Sequence, residues 1–160
     1  MIKVMKFGGS SMGSVDALKR TASIIQREPA RKAVVVSAMS GVTNSLIACM
    51  RDRSDTSTVL EQLRAKYAGC AQVMMSGDLF NTYLKELDAS LSMLGDKLKT
   101  YQKLDRAPFL EDAISSWGER LSVITLSNIL RERHIDAVAL SAEEAGIVAE
   151  GEPSNGSANL

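Results

Sequence analysis

Three short stretches of the chain combine glycines, hydroxyls and charges at spacings that suit the binding of an anion. The first is K-F-G-G-S-S-M-G, residues 6–13. Adjacent glycines let backbone N–H groups approach a ligand without a Cβ in the way, and the free N–H groups of such a turn form an anion-binding nest. Lys6 adds a positive charge, and Ser10 and Ser11 add hydroxyl donors. The stretch suits a phosphate group, and a plain strand-to-helix turn is the alternative.

This glycine loop departs from the two common nucleotide-binding motifs. A Walker A loop needs a lysine directly after its second glycine, but Gly13 is followed by Ser14. A dinucleotide fingerprint needs G-x-G-x-x-G, but Ser10 stands where the middle glycine belongs. The sequence therefore supports neither an ordinary P-loop NTPase nor an NAD enzyme.

The second stretch is S-A-M-S-G-V-T-N, residues 37–44, which follows a β-branched run. It brings three hydroxyls and a glycine to the end of a predicted strand, just before a predicted helix. Such a turn suits a carboxylate or a phosphate. A plain helix N-cap by Ser40 or Thr43 is the alternative.

The third stretch is W-G-E-R-L-S, residues 117–122, within a predicted helix that is mostly apolar. A carboxylate in that setting needs a cation to offset its loss of hydration. For Glu119 the cation is Arg120, Arg53, Lys6 or the ammonium group of a ligand. The alternative is a glutamate that faces solvent from an incompletely buried helix.

The elements that position these stretches alternate between strand and helix. The pattern predicts a strand at Ile2 to Phe7, a helix capped by Ser14 with Asp16 in its first turn, a buried strand at Ala33 to Ala38, and a second helix through Met50. Such alternation is typical of a parallel sheet with helices packed on it. Right-handed crossovers then place both strand-to-helix turns at one edge of the sheet, where α/β proteins bind ligands.

Beyond the second turn the pattern changes. Residues 58–104 contain apolar residues at helical spacing and no strand candidate, which predicts a helical insert. Ala113 to Arg133 is predicted to be one buried helix, Ile135 to Leu140 a third strand, and Glu150 to Leu160 a loop or frayed end.

Composition bounds the class of protein. The 160 residues fit one domain, and 19 Lys and Arg against 19 Asp and Glu argue against nucleic acid or a membrane surface as the main partner. Lys3 and Lys6 interrupt any signal-peptide core, and no apolar run is long enough to span a bilayer. Cys49 and Cys70 are expected to be buried thiols, and the lone His134 excludes a His-rich zinc site and is expected at a solvated helix end. We expect a soluble cytoplasmic protein.

Taken together, V-M-K-F-G-G-S-S, V-V-V-S-A-M-S-G-V-T-N and W-G-E-R-L-S resemble, in order and spacing, the N-terminal motifs of aspartate kinases. The resemblance covers about residues 1 to 148. It implies the amino acid kinase fold, an α/β three-layer αβα sandwich, here partial and with a helical insert at about 58–104. The implied reaction transfers the γ-phosphate of ATP to the β-carboxylate of L-aspartate, giving 4-phospho-L-aspartate, the first step of lysine, threonine and methionine biosynthesis.

The resemblance also implies roles for individual residues on the phosphate side. Lys6 resembles the family's catalytic lysine, which contacts the phosphoryl group in transfer. Gly8 and Gly9 resemble its phosphate-contacting backbone, and Ser10 resembles the hydroxyl beside it.

On the substrate side, Ser37 and Thr43 resemble residues that bind aspartate. Glu119 resembles the carboxylate that receives the α-ammonium group of the substrate. No residue is assigned to a metal. The implied cofactor is ATP with Mg²⁺, and the implied assembly is a homo-oligomer, without nucleic acid or membrane.

Residues 1–160 lack the family's nucleotide-binding half and its ACT domains, so we expect this chain alone to be inactive as a kinase. Two alternatives remain open. One is another amino acid kinase that acts on a different carboxylate or on a carbamate. The other is a noncatalytic binding module that keeps part of the pocket.

Overall fold

A computed structural model of the chain describes residues 1–104, 107–152 and 155–159, except for the side chains of residues 149, 158 and 159. It opens with strand β1 (Ile2–Phe7), the short helix α1 (Gly9–Met12), helix α2 (Val15–Arg27) and strand β2 (Arg31–Val36). β1 and β2 pair in parallel, from Ile2 opposite Arg31 to Phe7 opposite Val36. Among the described residues, β1 and β2 form the only parallel pair of strands, so the chain has a partial α/β fold.

Helix α2 begins and packs as its sequence predicts. The Ser14 hydroxyl accepts a hydrogen bond from the N–H of Ala17 at 3.2 Å, and Asp16 lies in the first turn. Capping by a serine satisfies one of the free N–H groups at a helix start. Leu18 and Ile25 are fully buried, so α2 covers one face of the sheet region with its apolar stripe.

A helical region follows β2, made of α3 (Val42–Asp52), α4 (Thr56–Ala71) and α5 (Gly77–Lys103). Asp55 caps α4, because its carboxylate accepts hydrogen bonds from the N–H groups of Ser57 and Thr58. The stretch expected to be helical thus contains two helices, α4 and α5, which pack on each other. Its status as an insert in a larger domain stays a prediction.

The prediction of a single helix from 113 to 133 is wrong in its extent. The structure has two helices, α6 (Pro108–Ser115) and α7 (Trp117–Glu132), separated by Ser116. A proline at the first position favours an earlier start for α6, because it lacks the N–H that would go unpaired there. The expected burial of α7 is confirmed, with Leu121 and Ile129 at its centre.

The third predicted strand, residues 135–140, has no strand partner among the described residues. Its side chains alternate between half-buried and exposed, as in a strand, but Val138 is 71% exposed. This segment and β2 both line a cavity of about 700 Å³ instead of pairing. Since a strand is held by hydrogen bonds to a neighbour, the apolar alternation alone does not form one.

The prediction of a loop at the C-terminal end is also wrong in part. Strand β3 (Val148–Glu150) pairs antiparallel with strand β4 (Ser157–Asn159). Gly151 follows β3 with φ of +122°, a conformation that glycine allows. Residues 153, 154 and 160, which that prediction included, lie outside the described residues.

The cysteines and the histidine lie largely where the sequence predicts them. Cys49 is buried as predicted, whereas Cys70 is only half-buried, and both thiols are free. His134 is exposed directly after α7, which confirms its place at a solvated helix end. Within the described residues, no helix joins the length and apolar composition that crossing a bilayer requires.

Candidate active site

The parallel pairing of β1 and β2 brings the first two stretches side by side. Both strands end at the same edge, with Phe7 opposite Val36. The N–H of Ser37 donates to the carbonyl of Phe7 at 3.0 Å, which extends the pairing by one residue. The glycine loop that follows β1 therefore begins beside the turn that follows β2, as the sequence predicted.

Two glycines of the first loop are needed for this contact. A Cβ on Gly13 would lie 2.9 Å from the Ser40 Oγ, and a Cβ on Gly9 would lie 3.0 Å from the carbonyl oxygen of Ala38. Real side chains rarely approach so closely, so larger residues would push the two loops apart. The glycine loop is thus seated on the backbone of the 37–41 turn.

The third stretch reaches the same turn from the other side. A Cβ on Gly118 would lie 2.5 Å from the Ala38 Cβ and 2.9 Å from the Val42 Cγ1. Gly118 is fully enclosed near the start of α7 and lets that helix lie directly against the turn. All three stretches therefore meet at the 37–41 turn, and Glu119 follows this contact by one residue.

Lys6 lies on the exposed side of β1 and reaches back over the glycine loop. A Cβ on Gly8 would lie 3.9 Å from the Lys6 Nζ. Lys6 forms no ion pair with any residue that the structure describes. Its ammonium group therefore lies close to Gly8 without an ion-pair partner among the described residues. Ser10 is exposed in α1.

The helix-capping interpretation of the second turn is wrong. Helix α3 has Gly41 at its N-cap, with φ of +85°, and no side chain caps it. Ser37 and Thr43 are both half-buried, and neither hydroxyl serves the helix end. These hydroxyls stay available at the edge where the strands end.

The carboxylate of Glu119 is not fully satisfied by hydrogen bonds within the described residues. Its Oε2 is buried and has no hydrogen-bond partner among the described residues. Arg120 instead lies over the Trp117 ring at 5.1 Å and 3.7 Å from Glu143. Arg53 donates to the carbonyl of Leu104 at 3.4 Å. Neither arginine therefore forms an ion pair with Glu119.

A cavity of about 770 Å³ opens beside Glu119. Its wall comes from α5, α7 and residues 138–144, and includes Trp117, Arg120 and Glu143. This volume is in the range of small-molecule sites. Lys6, Ser37 and Thr43 do not line it, so the cavity reaches the carboxylate side of the site and not the strand ends.

Two residues that sequence reasoning missed hold the turn in place. The Tyr67 hydroxyl donates to the carbonyl of Gly118 at 2.9 Å, and the Lys66 Nζ donates to the carbonyl of Ser40 at 2.6 Å. Burial, with the nearby Glu119 charge as a smaller cause, raises the pKa of Tyr67 to about 12, so its hydroxyl stays protonated. In the sequence Tyr67 is only an apolar position of a helix, and nothing signals its polar contacts.

The chain belongs to the amino acid kinase family, whose profile matches residues 1–159. It is 31% identical to aspartokinase 3 of Bacillus subtilis over 164 aligned residues, which cover 96% of this chain and 34% of that protein. It is 28% identical to the lysine-sensitive aspartokinase 3 of Escherichia coli, covering 85% of this chain and 30% of that protein.

Solved structures agree with these sequence relatives. The chain superposes with a TM-score of 0.71 on E. coli aspartokinase III in complex with lysine and aspartate, at 29% identity, covering 84% of this chain and 30% of that one. The same enzyme in complex with aspartate and ADP gives the same TM-score. The chain thus spans about a third of the aspartokinases it matches.

Proposed function

We propose that this chain forms the aspartate-binding and phosphate-binding portion of an aspartate kinase, which transfers the γ-phosphate of ATP to the β-carboxylate of L-aspartate. The observation that carries the proposal is the buried, unpartnered Oε2 of Glu119. A buried carboxylate oxygen without a donor is costly, so it indicates a ligand that brings its own positive charge. The α-ammonium group of an amino acid supplies that charge.

The strand ends supply the phosphate side. Among the described residues the Lys6 ammonium group has no ion-pair partner, and it lies close to Gly8, which Gly9 and the exposed Ser10 follow in the chain. Transfer of a phosphoryl group to a carboxylate needs no protein nucleophile, because the substrate oxygen attacks. Catalysis then rests on positioning and on neutralising the charge of the phosphoryl oxygens, which suits this set of residues.

Ser37 and Thr43 complete the proposed substrate contacts. Ser37 precedes Ala38 and Thr43 follows Val42, the two residues that contact Gly118, and Gly118 comes one residue before Glu119. A hydroxyl donates readily to a carboxylate oxygen, so these two residues suit the carboxylate groups of aspartate.

The proposed reaction uses ATP with Mg²⁺. The described residues contain no group of three His, Cys, Asp or Glu side chains placed to hold a metal ion. No residue of the chain is proposed as a metal ligand, and Mg²⁺ is proposed only as the ion that accompanies ATP.

We also propose that the fold belongs to a three-layer αβα sandwich. Parallel partners share a face of the sheet, so Ile2, Val4 and Val35 lie together on the side opposite the packed Phe7 and Val36. That apolar side is exposed, with Val4 at 69%. Parallel sheets are covered on both faces, so this face calls for a further layer.

The relatives support aspartate over other acceptors. Two of the solved structures contain aspartate, and one of them contains ADP. A cytoplasmic location and a homo-oligomeric assembly are proposed with the function. Another amino acid kinase or a noncatalytic module stays the alternative, and the inactivity of the chain alone stays a prediction.

The test compares the binding of L-aspartate with that of succinate, which lacks the α-ammonium group, in NMR titrations of the 160-residue chain. We expect the wild-type chain to prefer aspartate. Glu119→Gln keeps the shape but removes the charge, and it should weaken aspartate binding about 10- to 150-fold, the value of one charge-assisted hydrogen bond. Succinate binding should change little.

Glu61→Gln is the matched control, since Glu61 is an exposed glutamate on α4. It should leave the preference for aspartate unchanged. Equal binding of aspartate by wild type and Glu119→Gln would remove the ligand role of Glu119. Equal binding of aspartate and succinate by the wild-type chain would favour a different acceptor.

A further inference from the structure

Two consecutive residues of α4 bind the backbone of the 37–41 turn at neighbouring points. The N–H of Met39 donates a long hydrogen bond of 3.5 Å to the Tyr67 hydroxyl. The carbonyl of Ser40, the next residue of the turn, accepts from the Lys66 ammonium at 2.6 Å. We propose that Lys66 and Tyr67 are positioning residues, which hold this turn in the geometry that the aspartate site needs. The proposal rests on the proposed function.

The Tyr67 hydroxyl joins three elements in one buried contact. It donates to the carbonyl of Gly118 at 2.9 Å and lies 3.3 Å from the Ser122 Oγ, while it accepts from Met39. One donated and two accepted bonds use the full capacity of a tyrosine hydroxyl. Tyr67 is fully buried, so water cannot take over these contacts.

This contact bears directly on the geometry of the site. Gly118 precedes Glu119, and Met39 lies between Ser37 and Thr43. The same hydroxyl therefore fixes the backbone next to the proposed ammonium ligand and the backbone between the proposed carboxylate ligands. A shift of the turn relative to α7 would change the distance between the two ends of the bound amino acid.

Lys66 binds the residue of the turn that contacts the glycine loop. Its bond to the Ser40 carbonyl is charge-assisted, which makes it one of the stronger kinds of hydrogen bond. The Ser40 side chain in turn lies where Gly13 leaves room for it. Lys66 thus acts on the residue that connects the turn with the phosphate side.

The chain contains its own control for Tyr67. Tyr83 is also fully buried and also bonds a hydroxyl of α7, since its oxygen lies 3.0 Å from the Thr125 Oγ1. Burial raises the pKa of Tyr83 as well. Its hydroxyl has no bond to the 37–41 turn among the described residues. Tyr83→Phe removes one buried hydrogen bond and Tyr67→Phe removes three, of which only the bond to Met39 involves the turn.

The experiment compares Tyr67→Phe with Tyr83→Phe in the 160-residue chain. Tyr83→Phe should lower Tm on the order of 2–4 °C, because it loses one buried hydrogen bond, and Tyr67→Phe should lower it further, because its hydroxyl takes part in three. Amide hydrogen exchange by NMR should then separate them. In Tyr67→Phe the amides of Met39 and Val42 should exchange about 2- to 10-fold faster than in Tyr83→Phe.

Lys66→Met tests the second point of contact. It should speed exchange at Val42, and Lys66→Arg should restore the protection, because arginine keeps a charged donor. Lys85→Met, at an exposed lysine of α5, should change nothing at the turn.

Aspartate binding supplies the second readout. Its affinity should fall about 3- to 10-fold in Tyr67→Phe and stay unchanged in Tyr83→Phe. Unchanged turn exchange in Tyr67→Phe overturns the proposal, and so does a faster-exchanging turn with wild-type aspartate affinity. If the wild-type chain binds no aspartate, the proposed function fails, and the exchange data still decide whether these residues hold the turn.

Discussion

The end of strand β2 is packed tightly, whereas the rest of the strand is packed loosely. Where the strand ends, its turn is so tightly enclosed that a single Cβ on Gly13 or Gly118 would come within 3 Å of a neighbouring atom. Along its length, the strand lines a cavity of about 700 Å³ that it shares with residues 135–140. The first region is tightly packed around its glycines. The second has apolar groups without close neighbours.

The two regions differ in the contacts on which their packing depends. The packed end is built from elements that are close in sequence or fixed by short turns, together with α4 and α7. The open side has no such contacts, because among the described residues β2 pairs with β1 alone.

The largest expected effect comes from adding one methyl group at the packed end. Gly118→Ala would place a Cβ 2.5 Å from the Ala38 Cβ, and such overpacking costs about 1–3 kcal/mol of the free energy of unfolding. Urea denaturation measures the loss. Gly69→Ala is the control, because a Cβ there meets nothing within 4 Å and alanine favours the α4 helix by up to about 1 kcal/mol. Equal stability of the two variants would contradict the tight packing at Gly118.

A second test exchanges valine for threonine on each side. Val42 is 1% exposed against Gly118, so Val42→Thr buries a hydroxyl and should cost about 1–3 kcal/mol. Val138 is 71% exposed, so Val138→Thr should change the free energy of unfolding by less than about 0.5 kcal/mol. Thermal denaturation of both variants gives the comparison. A large loss at Val138 would show that residues 135–140 are covered in solution.

The smallest effect concerns the start of α4, the helix that holds the turn. Hydrogen bonds from the hydroxyls and N–H groups of Ser57 and Thr58 lower the pKa of Asp55 to about 2. Because the folded pKa lies below the ordinary value of 3.8, this cap stabilises the fold above about pH 4 and its contribution is lost as the pH falls towards 2.

Asp55→Asn caps the helix without a charge, so it should flatten this part of the pH dependence. Tm measured between pH 2 and 5 shows the change. Asp136→Asn, at an exposed aspartate outside any helix, should leave the acid-side slope as it is in the wild type. An unchanged slope in Asp55→Asn would assign the acid sensitivity to other groups.

Local chemistry could be predicted from the sequence. The Ser14 cap and the apolar stripe of α2 act within a few residues, and the structure confirms both. The β-branched run does form a strand, but β2 spans Arg31–Val36 and Val35 is 49% exposed, so the predicted bounds and burial of this strand are wrong. For Glu119 the sequence left two alternatives open, a buried carboxylate that needs a cation and a carboxylate that faces solvent, and the structure buries its Oε2. The structure adds that no protein cation has taken that place among the described residues.

Contacts between distant residues could not be predicted in the same way. The apolar alternation of 135–140 is genuine, but a strand also needs a partner, and its identity is not written in the segment itself. The role of Gly118 depends on Ala38, about 80 residues earlier in the chain. Tyr67 resembles any other buried helical position until its hydroxyl is seen between Met39 and Gly118.

The C-terminal hairpin of β3 and β4 has a sequence signal that the prediction of a loop did not use. Residues 148–150 and 157–159 pair as strands on either side of a segment rich in glycine and asparagine. Such a segment between two short strand candidates is typical of a hairpin connection. Composition alone favoured a loop because it ignores what flanks the turn.

Trp117 gives the site an optical signature. It is the single tryptophan of the chain and lies two residues before Glu119. Its indole N–H donates to the carbonyl of Ser90 at 3.2 Å, and the cationic groups of Lys97 and Arg120 lie over its ring at 5.8 and 5.1 Å. All tryptophan fluorescence of the chain therefore arises from one buried ring at the start of α7. A change in emission on adding an amino acid reports on this end of the molecule without any attached label.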